Sequence, residues 1–345
     1  MIINGREISK NFPPYIVAEI SGNHNGKIES ALELIEIAKE SGADAVKIQT
    51  YTPDTMTINS SREEFQIRKG PWKGHSLYDL YKWAHTPWDW HEKLFMKAKE
   101  VGITLFSTPF DETAVDYLEQ FNPPAYKIAS FEATDLMLIE KVVTTKRPIV
   151  VSTGMTSFAE IRDICELFKQ NNKTDCAFLH CVSGYPTKVE FSNLNVIKSL
   201  IETIGFQVGL SDHTLSNTTA IASVALGAVM IEKHFIKSRD EKGPDSEFSL
   251  EPHELRELCR ATKETWSAMG NGLKDSNAAE KDSLIFRRSL FFVKSLKKGE
   301  VISEQHVRRI RPGHGVSPKY YHNVLNKRAL VDIEIGTPVS FDLIE

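Results

Sequence analysis

The chain has 345 residues, of which 41% are hydrophobic and 26% are charged, as is ordinary for a soluble globular protein. Its formal net charge of −4 and its pI near 6.3 give no reason to expect nucleic acid or an anionic membrane surface as a partner. No apolar run reaches transmembrane length, and the amino terminus MIINGREISKNFPPY has no signal-peptide core, so we expect a cytoplasmic protein.

Short runs rich in Val, Ile, Phe and Ala recur along most of the chain, and each is followed by a helical pattern. The predicted strands are Tyr15 to Ile20, Ala45 to Gln49, Thr104 to Ser107, Ala125 to Ala129, Pro148 to Ser152, Ala177 to Val182, Phe206 to Leu210 and Ala228 to Phe235. The predicted helices between them include Glu29 to Ser41, Trp88 to Val101, Glu112 to Phe121, Leu136 to Thr145 and Phe158 to Gln170. This rhythm predicts a (β/α)8 TIM barrel over residues 1–270. A doubly wound sheet is the alternative, but no GxGxxG follows the first strand.

The segment from Thr52 to Pro87 is too long for a plain strand-to-helix connection and is rich in Trp and Tyr. Long loops at this end of a barrel usually shape the substrate pocket, although the aromatic side chains are equally able to pack on the barrel wall. Leu77, Leu80 and Tyr81 at helical spacing predict a short helix inside it.

The last quarter of the chain has a different pattern. Residues 271–283 are polar and glycine-containing, as is typical of a linker. Beyond them, Ser289 to Ser295 and Ala329 to Ile335 are predicted strands followed by the turns KKGE and IGTP. We therefore expect a small β-rich domain over residues 284–345.

The four cysteines form no CxxC pair, which favours reduced thiols in cytoplasm over a disulfide framework or a zinc site. They are Cys165, Cys176, Cys181 and Cys259.

Polar residues stand at the carboxyl ends of the predicted strands, where a parallel barrel binds its ligands. They include Glu19, Lys47, Gln49, Thr108, Lys127, Ser130, Glu132, Ser152, Ser183, Tyr185 and Ser211. Two lysines that converge with several hydroxyls predict a seat for a phosphate or a phosphorylated carboxylate. The alternative is a buried lattice of lysines with Glu19 and Glu132 and no ligand. We favour the ligand, because a buried lysine pair is costly without an anion between its members.

Two of the strands end on histidines, His213 and His234, which are expected at equivalent positions on neighbouring strands. A hydrogen-bonded role is the common one for a lone histidine, but two side by side favour a shared metal ion. Two imidazoles leave most of the coordination shell to water or substrate, so we expect loosely bound manganese, magnesium or cobalt in place of structural zinc.

Several motifs in fixed order resemble the sialic acid synthase family over essentially the whole chain. They are VAEISGNHNG from Val17, KIQTY from Lys47, STPFD from Ser107, YKIAS from Tyr126, STGM from Ser152, HCVSGYPT from His180, GLSDHT from Gly209, EKHF from Glu232 and RPGHG from Arg311. Within the family, the insertion LYDLYKWAHTPWDWH and the form SGNHNG are similar to a branch that uses a diacetamido sugar.

The resemblance implies that phosphoenolpyruvate condenses with the open-chain aldehyde of an acetamido sugar, with release of phosphate and formation of a nine-carbon 2-keto acid. It also implies a carboxy-terminal antifreeze-like (SAF) domain that reaches across a domain-swapped homodimer to cover the partner's barrel. The family's metal polarises the aldehyde oxygen, and nearby carboxylates such as Glu19 or Glu132 assist the addition of water.

The resemblance carries residue roles over by motif position. Phosphoenolpyruvate is expected to contact Lys47, Thr108, Lys127, Ser130, Ser152, Ser183 and Ser211. Sialic acid synthases usually have an asparagine at the position of Ser183. His213 and His234 are expected to bind the metal. The sugar is expected to contact Glu19, Gln49, Glu132, Tyr185 and Asp245, together with Arg311 from the partner chain.

Three other functions remain open at this stage. The same condensation on another sugar gives N-acetylneuraminic or legionaminic acid. A metal-dependent or Schiff-base aldolase would use Lys47 or Lys127 as the amine. A non-enzymatic ice- or glycan-binding protein would use the carboxy-terminal domain, although charged residues such as Lys297 and Arg308 argue against a flat ice-binding face.

Overall fold

The computed structural model describes residues 1–274 and 278–345; residues 275–277 of the predicted linker lie outside the described residues. The chain divides into two compact units, Met1–Gly270 and Asn271–Glu345. No helix in the described ranges is both long and apolar enough to cross a membrane.

The first unit begins with a small hairpin that the sequence analysis did not predict. Strands β1 (Ile2–Ile3) and β2 (Arg6–Glu7) pair antiparallel around Asn4 and Gly5, which both have positive φ. An Asn-Gly pair with left-handed backbone is the usual signal for a tight two-residue hairpin. Here it folds the first residues of the chain back on themselves.

Eight parallel strands then close into a barrel, with the last strand paired to the first. They are β3 (Tyr15–Glu19), β4 (Ala45–Thr50), β5 (Thr104–Pro109), β6 (Tyr126–Ile128), β7 (Ile149–Ser152), β8 (Cys176–Cys181), β9 (Gln207–Asp212) and β10 (Met230–His234). All eight predicted strands are present, and the prediction of a (β/α)8 barrel is confirmed.

Ten helices belong to the same unit. They are α1 (Ile28–Glu40), α2 (Pro53–Met56), α3 (Leu77–Ala84), α4 (His91–Val101), α5 (Glu112–Leu118), α6 (Leu136–Thr144), α7 (Phe158–Gln170), α8 (Val196–Ile204), α9 (Thr218–Ala225) and α10 (Pro252–Met269). The apolar stripe of α1 shows why they form: Ala31, Leu34, Ile35 and Ala38 recur at helical spacing and are buried. The predicted short helix is α3, and it begins at the cap Ser76, whose hydroxyl accepts the amide of Asp79 at 3.0 Å.

Along most of the barrel strands the inward residues change from apolar to polar. Near the amino ends the interior is filled by Tyr15, Val17, Ala45, Phe106, Ala125, Val150, Leu179 and Met230, and Ile3 and Ile8 from the hairpin segment pack on the same cluster. Because strand side chains alternate, the next inward position on β4 is Lys47 and on β10 is Glu232. The carboxyl ends therefore form a separate polar layer.

The second unit contains β11 (Ser289–Phe292), β12 (Val307–Ile310) and α11 (Tyr321–Val324), with β11 and β12 antiparallel. Its core comprises Leu290, Phe292, Leu296, Ile302, Val307, Val324, Ala329, Ile333, Val339 and Ile344. The predicted strand from Ser289 is present, although it ends at Phe292.

The predicted strand from Ala329 to Ile335 is wrong. Only isolated bridges occur there, between Ala329 and Ile344 and between Ile333 and Leu296. The reason is the spacing of buried residues, since Ala329 and Ile333 are buried while Val331 midway between them is exposed, whereas alternation in a half-buried strand would place all three on the buried face. The strand β12 was missed for the converse reason, because only Val307 of its four residues is buried.

Candidate active site

Two buried lysines are the centre of the polar layer at the carboxyl ends of the barrel strands. Lys47 on β4 is 3% exposed and Lys127 on β6 is 2% exposed. The ammonium of Lys47 lies 2.7 Å from Glu19 Oε2 and donates to Thr108 Oγ1 at 3.0 Å. The ammonium of Lys127 donates to Ser152 Oγ at 2.7 Å. The structure thus brings the predicted lysines, hydroxyls and Glu19 to one place.

Glu232 joins the two lysines. Its Oε1 lies 3.5 Å from Lys47 Nζ and 3.5 Å from Lys127 Nζ, and it accepts from Ser211 Oγ at 3.2 Å. Burial opposes the ionised form of Glu232, but the lysines Lys127 and Lys47 outweigh it and lower its pKa. The site therefore contains a carboxylate that stays charged.

Glu232 was not among the predicted site residues. The signal for it was present, because it stands two residues before His234 on the same strand and hence on the same face. Its position changes the argument from burial cost, since Glu19 and Glu232 already offset part of the charge on the two lysines. The buried lattice of lysines and carboxylates in the alternative interpretation is therefore present, but its second carboxylate is Glu232 and not Glu132.

The two lysines differ in how burial affects them. Burial lowers the pKa of Lys127, and the nearby charge of Lys47 lowers it further against the opposing attraction of Glu232. For Lys47, burial acts in the same direction, but Glu19 and Glu232 outweigh it and raise its pKa. Lys47 is therefore the more firmly protonated of the two ammonium groups.

The remaining hydroxyls lie around a close approach of the backbone. Ser130 Oγ accepts the amide hydrogen of Gly154 at 3.1 Å. A Cβ added at Gly154 would collide with the hydroxyls of Ser183 and Ser130, so only glycine lets this backbone come so near to both. The arrangement leaves a small polar cradle beside Lys127, formed by hydroxyls and one backbone turn.

His213 and His234 stand side by side. Lys233 on β10 pairs in register with Asp212 on β9, so the residues that follow them are neighbours, and their ring centroids are 5.3 Å apart. His213 Nδ1 lies 3.1 Å from the carbonyl oxygen of Val182. A proton on Nδ1 satisfies this carbonyl and leaves the Nε2 lone pair of His213 available to a ligand.

The surroundings of His234 also fit a cation. Its Nδ1 is buried without a hydrogen-bond partner among the described residues, and it lies 3.4 Å from Asp245 Oδ2. Asp245 in turn accepts from Ser21 Oγ at 2.5 Å. Two imidazoles with free nitrogen lone pairs and one nearby carboxylate are a donor set that suits an exchangeable divalent metal.

The predicted sugar contacts lie at the same end of the barrel. Gln49 Nε2 donates to Glu19 Oε1 at 3.2 Å, and the Tyr185 ring lies 4.5 Å from that of His213. Burial raises the pKa of Glu132 to about 7, and Oε2 of this residue has no hydrogen-bond partner within the described ranges. Glu132 is therefore poised between its acid and base forms at neutral pH.

The long aromatic segment reaches this end of the barrel too. The indole N–H of Trp72 donates to the carbonyl oxygen of Pro244 at 2.7 Å, and its ring centroid lies 5.5 Å from that of Tyr185. Gly22 is packed so closely that an added Cβ would come within 2.6 Å of Pro244 and 2.9 Å of the Ala84 carbonyl oxygen. Three loops thus meet beside the candidate sugar contacts.

Arg311 is the predicted site residue that belongs to the second unit. It follows β12 directly, and its side chain is exposed. Its role depends on a partner chain and stays a prediction.

One further group of metal-ligand side chains lies near the start of α10. Glu251, His253 and Glu254 have ligand atoms within 4.8 Å of one another. Arg239 holds the Glu254 carboxylate at 2.6 Å, and His253 is exposed. This group is a surface ion-pair cluster and carries none of the predicted site residues.

Comparison with known proteins gives consistent matches. Residues 34–274 match the NeuB family and residues 287–345 match the SAF domain. A pseudaminic acid synthase from Campylobacter jejuni (strain 81-176) is 44% identical over 322 residues, which cover 93% of this chain and 94% of that protein. A pseudaminic acid synthase from Helicobacter pylori is 42% identical over 334 residues, which cover 96% and 98%.

A solved structure agrees with these matches. The crystal structure of an N-acetylneuraminic acid synthetase from Leptospira borgpetersenii in complex with citrate is 29% identical and has a TM-score of 0.75. The match covers 82% of this chain and 94% of that one. The predicted resemblance to sialic acid synthases and the SAF domain at the carboxyl terminus are thereby confirmed.

Proposed function

The chain belongs to the NeuB family of phosphoenolpyruvate-dependent nonulosonic acid synthases, and from this we propose that it performs the reaction of a pseudaminic acid synthase. In that reaction phosphoenolpyruvate, water and the open-chain aldehyde of 2,4-diacetamido-2,4,6-trideoxy-L-altrose give pseudaminic acid and phosphate. The choice of sugar is supported by the sequence identity of 42–44% with two pseudaminic acid synthases over nearly the whole chain.

We assign phosphoenolpyruvate to the seat between the two lysines. Lys47 and Lys127 supply charge, and the hydroxyls supply directed hydrogen bonds. Those hydroxyls are Thr108, Ser130, Ser152, Ser183 and Ser211. Because Glu232 contacts both ammonium groups and offsets only part of their charge, an entering phosphate or carboxylate must compete with Glu232 for the two lysines, and this favours a ligand with several negative charges over a neutral one.

We assign the acetamido sugar to the ring of carboxylates, amide and aromatic side chains next to this seat. The proposed contacts are Glu19, Gln49, Glu132, Tyr185 and Asp245, together with the partner subunit's Arg311. Tyr185 lies against the ring of Phe248 at 5.2 Å, so one apolar wall stands beside several hydrogen-bonding groups. Such a mixture suits a deoxy sugar with acetamido groups.

Enzymes of the NeuB family are generally metal-dependent, and we assign the metal to His213 and His234. Manganese, magnesium and cobalt are the candidates. When bound, the metal supplies Lewis-acid polarisation of the sugar's aldehyde oxygen. The side chains around it hold the aldehyde carbon toward the methylene of phosphoenolpyruvate, which attacks it and forms the new C–C bond.

The attack leaves positive charge on the carbon that bears the phosphate, and the nearby carboxylates stabilise that charge. We propose Glu132 for the proton of the attacking water, because its pKa of about 7 allows it to accept and return a proton. Glu19 is the less suitable carboxylate, since Lys47 holds it as an ion pair at 2.7 Å. The tetrahedral intermediate then breaks its C–O bond, and phosphate leaves with the bridging oxygen.

We propose that the active unit is a domain-swapped homodimer in which residues 284–345 of one chain cover the barrel of the other. Exposed apolar side chains follow the carboxyl ends of four neighbouring strands, β6 to β9, and would be buried by such a cover. They are Phe131, Met137, Met155, Phe158, Val189, Phe191 and Leu215. In this assignment residues 1–270 form the catalytic domain and residues 271–283 the linker.

We further propose that the enzyme works in the cytoplasm. The cysteines are free thiols, and three of the four are buried, which fits a reducing compartment.

The decisive experiment is phosphate release from phosphoenolpyruvate with manganese present. It compares the altrose sugar with N-acetylmannosamine, with the legionaminic acid precursor and with no sugar. Release with the altrose sugar alone supports the proposal, whereas release with N-acetylmannosamine keeps the family and removes the choice of sugar. No release with any sugar, together with borohydride trapping of a lysine, would favour the Schiff-base aldolase. Water-derived oxygen in the phosphate in place of the keto acid would contradict C–O cleavage.

A further inference from the structure

A buried ion pair lies on the outer face of β9 and β10, behind the barrel wall that carries the two histidines. Lys233 is 1% exposed, and its ammonium donates to Asp212 Oδ2 at 2.8 Å and to the carbonyl oxygens of Thr214 at 2.7 Å and Ser216 at 3.1 Å. Within the described residues, the three hydrogen bonds of this ammonium all go to the segment that surrounds His213. None of the predicted site residues belongs to this group.

The carboxylate of Asp212 is as fully engaged as the lysine. Its Oδ2 accepts from the hydroxyls of Thr219 at 2.7 Å and Thr214 at 3.1 Å, and its Oδ1 accepts the amide hydrogen of Thr214 at 3.0 Å. Both ions are thus satisfied without solvent, as a buried pair requires. The network ties Thr219 in the first turn of α9, the end of β9 and the end of β10 into one unit.

The two ions occupy a particular place in the sequence. Asp212 immediately precedes His213, Lys233 immediately precedes His234, and the two ions are paired in register across the strands. Because successive side chains of a strand point to opposite faces, the ion pair faces outward where the imidazoles face inward. The ion pair therefore lies directly before both histidines in the chain and holds their backbone in place from the outer side of the barrel wall.

The contacts fix the chain on both sides of His213. Asp212 lies before it, and the carbonyls of Thr214 and Ser216 lie after it, and all three are attached to the same ammonium on β10. An apolar residue at position 233 would fill the space but would leave the buried Asp212 carboxylate without a counter-charge, and would remove one donor from each of the carbonyl oxygens of Thr214 and Ser216. The segment after His213 would then relax away from β10, and the distance between the imidazoles would no longer be fixed.

We propose that Lys233 and Asp212 are positioning residues: from behind the barrel wall they set the spacing of His213 and His234 and thereby the affinity of the enzyme for its divalent metal. The inference rests on the proposed function, which assigns the metal to these histidines. Beyond that function, the inference identifies the Lys233–Asp212 ion pair as the group that holds the two imidazoles, which lie on neighbouring strands, at a spacing that one metal ion can bridge.

The test is binding of Mn²⁺ alone to chelator-treated, full-length enzyme, measured by isothermal titration calorimetry. His213→Ala identifies the relevant binding event, so that any binding at the surface cluster Glu251, His253 and Glu254 is set aside. Lys233→Met should weaken that event about 10- to 100-fold, as loss of an outer-shell partner does at other metal sites. The metal concentration for half-maximal activity should rise in parallel, while kcat at saturating metal falls much less. Lys233→Arg, which keeps the charge and the donors, should recover most of the affinity.

A matched control is Tyr126→Phe, because the Tyr126 hydroxyl makes a hydrogen bond to Glu119 at 2.8 Å on the outer face of β6, directly before Lys127. It removes a polar contact in an equivalent place behind a residue that is not a metal ligand. Mn²⁺ affinity should stay at the wild-type value, even if the melting temperature falls. If Lys233→Met does not fold, Asp212→Asn takes its place, because it removes the charge and keeps the shape.

Unchanged Mn²⁺ affinity in folded Lys233→Met or Asp212→Asn enzyme, with only a lowered melting temperature, would overturn the inference and leave the pair a structural one. The outcome is separable from that of the proposed function. A wild-type enzyme that forms the nine-carbon acid without binding a metal at His213 would overturn the positioning role and leave the condensation standing. An enzyme that binds Mn²⁺ with the expected pattern among the variants but condenses no sugar would overturn the proposed condensation and leave the positioning role standing.

Discussion

The two ends of the barrel interior are built on the same eight strands but are filled in opposite ways. Toward the amino ends of the strands the inward side chains are apolar and close-packed, and the chain's own first residues, Ile3 and Ile8, seal them. One inward position further along, the strands carry Lys47, Lys127 and Glu232, with two lysines and one carboxylate buried together. The first end stabilises the fold through burial of apolar surface, and the second gives up such burial to hold charges.

On these strands, inward residues that stabilise the fold and inward residues of the proposed site are therefore only two positions apart. Substitutions at the apolar end should lower the free energy of unfolding with little effect on kcat/KM. Substitutions at the polar end should lower kcat/KM with a smaller effect on the free energy of unfolding. Each prediction below tests one side of this division.

The largest effect is expected for Lys127→Met at the polar end. Loss of the ammonium removes a charge-assisted contact to the proposed phosphoenolpyruvate, and kcat/KM should fall about 10⁴-fold, or about 5 kcal/mol. The free energy of unfolding should fall by less than about 3 kcal/mol, because Glu232 keeps its contact with Lys47. Phosphate release and thermal unfolding measure the two quantities. More than a tenth of the wild-type activity in the variant would contradict the assignment of Lys127.

The opposite result is expected for Phe106→Ala at the apolar end. Phe106 is fully buried in the cluster that the hairpin seals, and its truncation should lower the free energy of unfolding by about 3–5 kcal/mol. At a temperature well below unfolding, kcat/KM should be nearly unchanged. Chemical denaturation beside the kinetic assay tests this, with Val150→Ala as a milder control in the same cluster. A large loss of kcat/KM in the folded Phe106→Ala enzyme would show that the two ends are not independent.

A smaller effect on rate is expected for Glu132→Gln, which removes the proposed proton carrier and should lower kcat about 100-fold. Burial raises the pKa of Glu132 to about 7, against the opposing attraction of Lys127. The wild-type rate should therefore change with pH around 7, and this inflexion should be absent from the variant. An inflexion that persists in Glu132→Gln enzyme would assign the proton transfer to another group.

The same carboxyl has a consequence for stability. A group whose pKa is raised in the folded state stabilises the fold at pH values below its unfolded pKa, and this contribution is lost as pH rises through about 7. The difference in melting temperature between wild-type enzyme and Glu132→Gln should therefore shift in favour of the variant between about pH 4.5 and pH 7. A wild-type enzyme that gains relative stability over this range would contradict the raised pKa.

The sequence was sufficient for the barrel because each strand is a short apolar run followed by a periodic helix, and all eight strands occur where the runs predicted them. It also placed both lysines and both histidines at the carboxyl ends. It missed Glu232, whose importance arises only when β4, β6 and β10 are closed into one ring and its carboxylate comes to lie between two ammonium groups. That convergence is a property of the closed sheet, because the sequence of β10 alone shows only that Glu232 lies on the same face as His234.

The second unit was harder to predict for a related reason. Its core residues come from turns and isolated bridges, so Ala329 and Ile333 are buried without the alternation of a strand. Three of the four residues of β12 are exposed, so this strand carries no apolar pattern. In such a unit the positions of buried residues follow from tertiary contacts more than from local periodicity.

The smallest expected effect is that of Arg311→Ala, and it extends the comparison to how each end of the barrel is closed. The amino end is sealed by the chain's own hairpin segment, whereas we propose that the carboxyl end is completed by the partner subunit's Arg311. Loss of one exposed guanidinium contact should raise KM for the sugar about tenfold, or about 1.4 kcal/mol, with little change in kcat. Arg308→Ala is the matched control, because Arg308 is an exposed arginine on β12 close to Arg311.

Mixed dimers give the sharper form of this prediction. When Arg311→Ala and Lys127→Met chains are unfolded, mixed and refolded together, half of the sites in each mixed dimer combine an intact Lys127 with an intact arginine from the other chain. Part of the activity should then return with the wild-type KM for the sugar, although neither parent shows it. If Arg311 served the barrel of its own chain, no site in the mixture would contain both residues, and the KM would stay at the raised value of the Arg311→Ala parent.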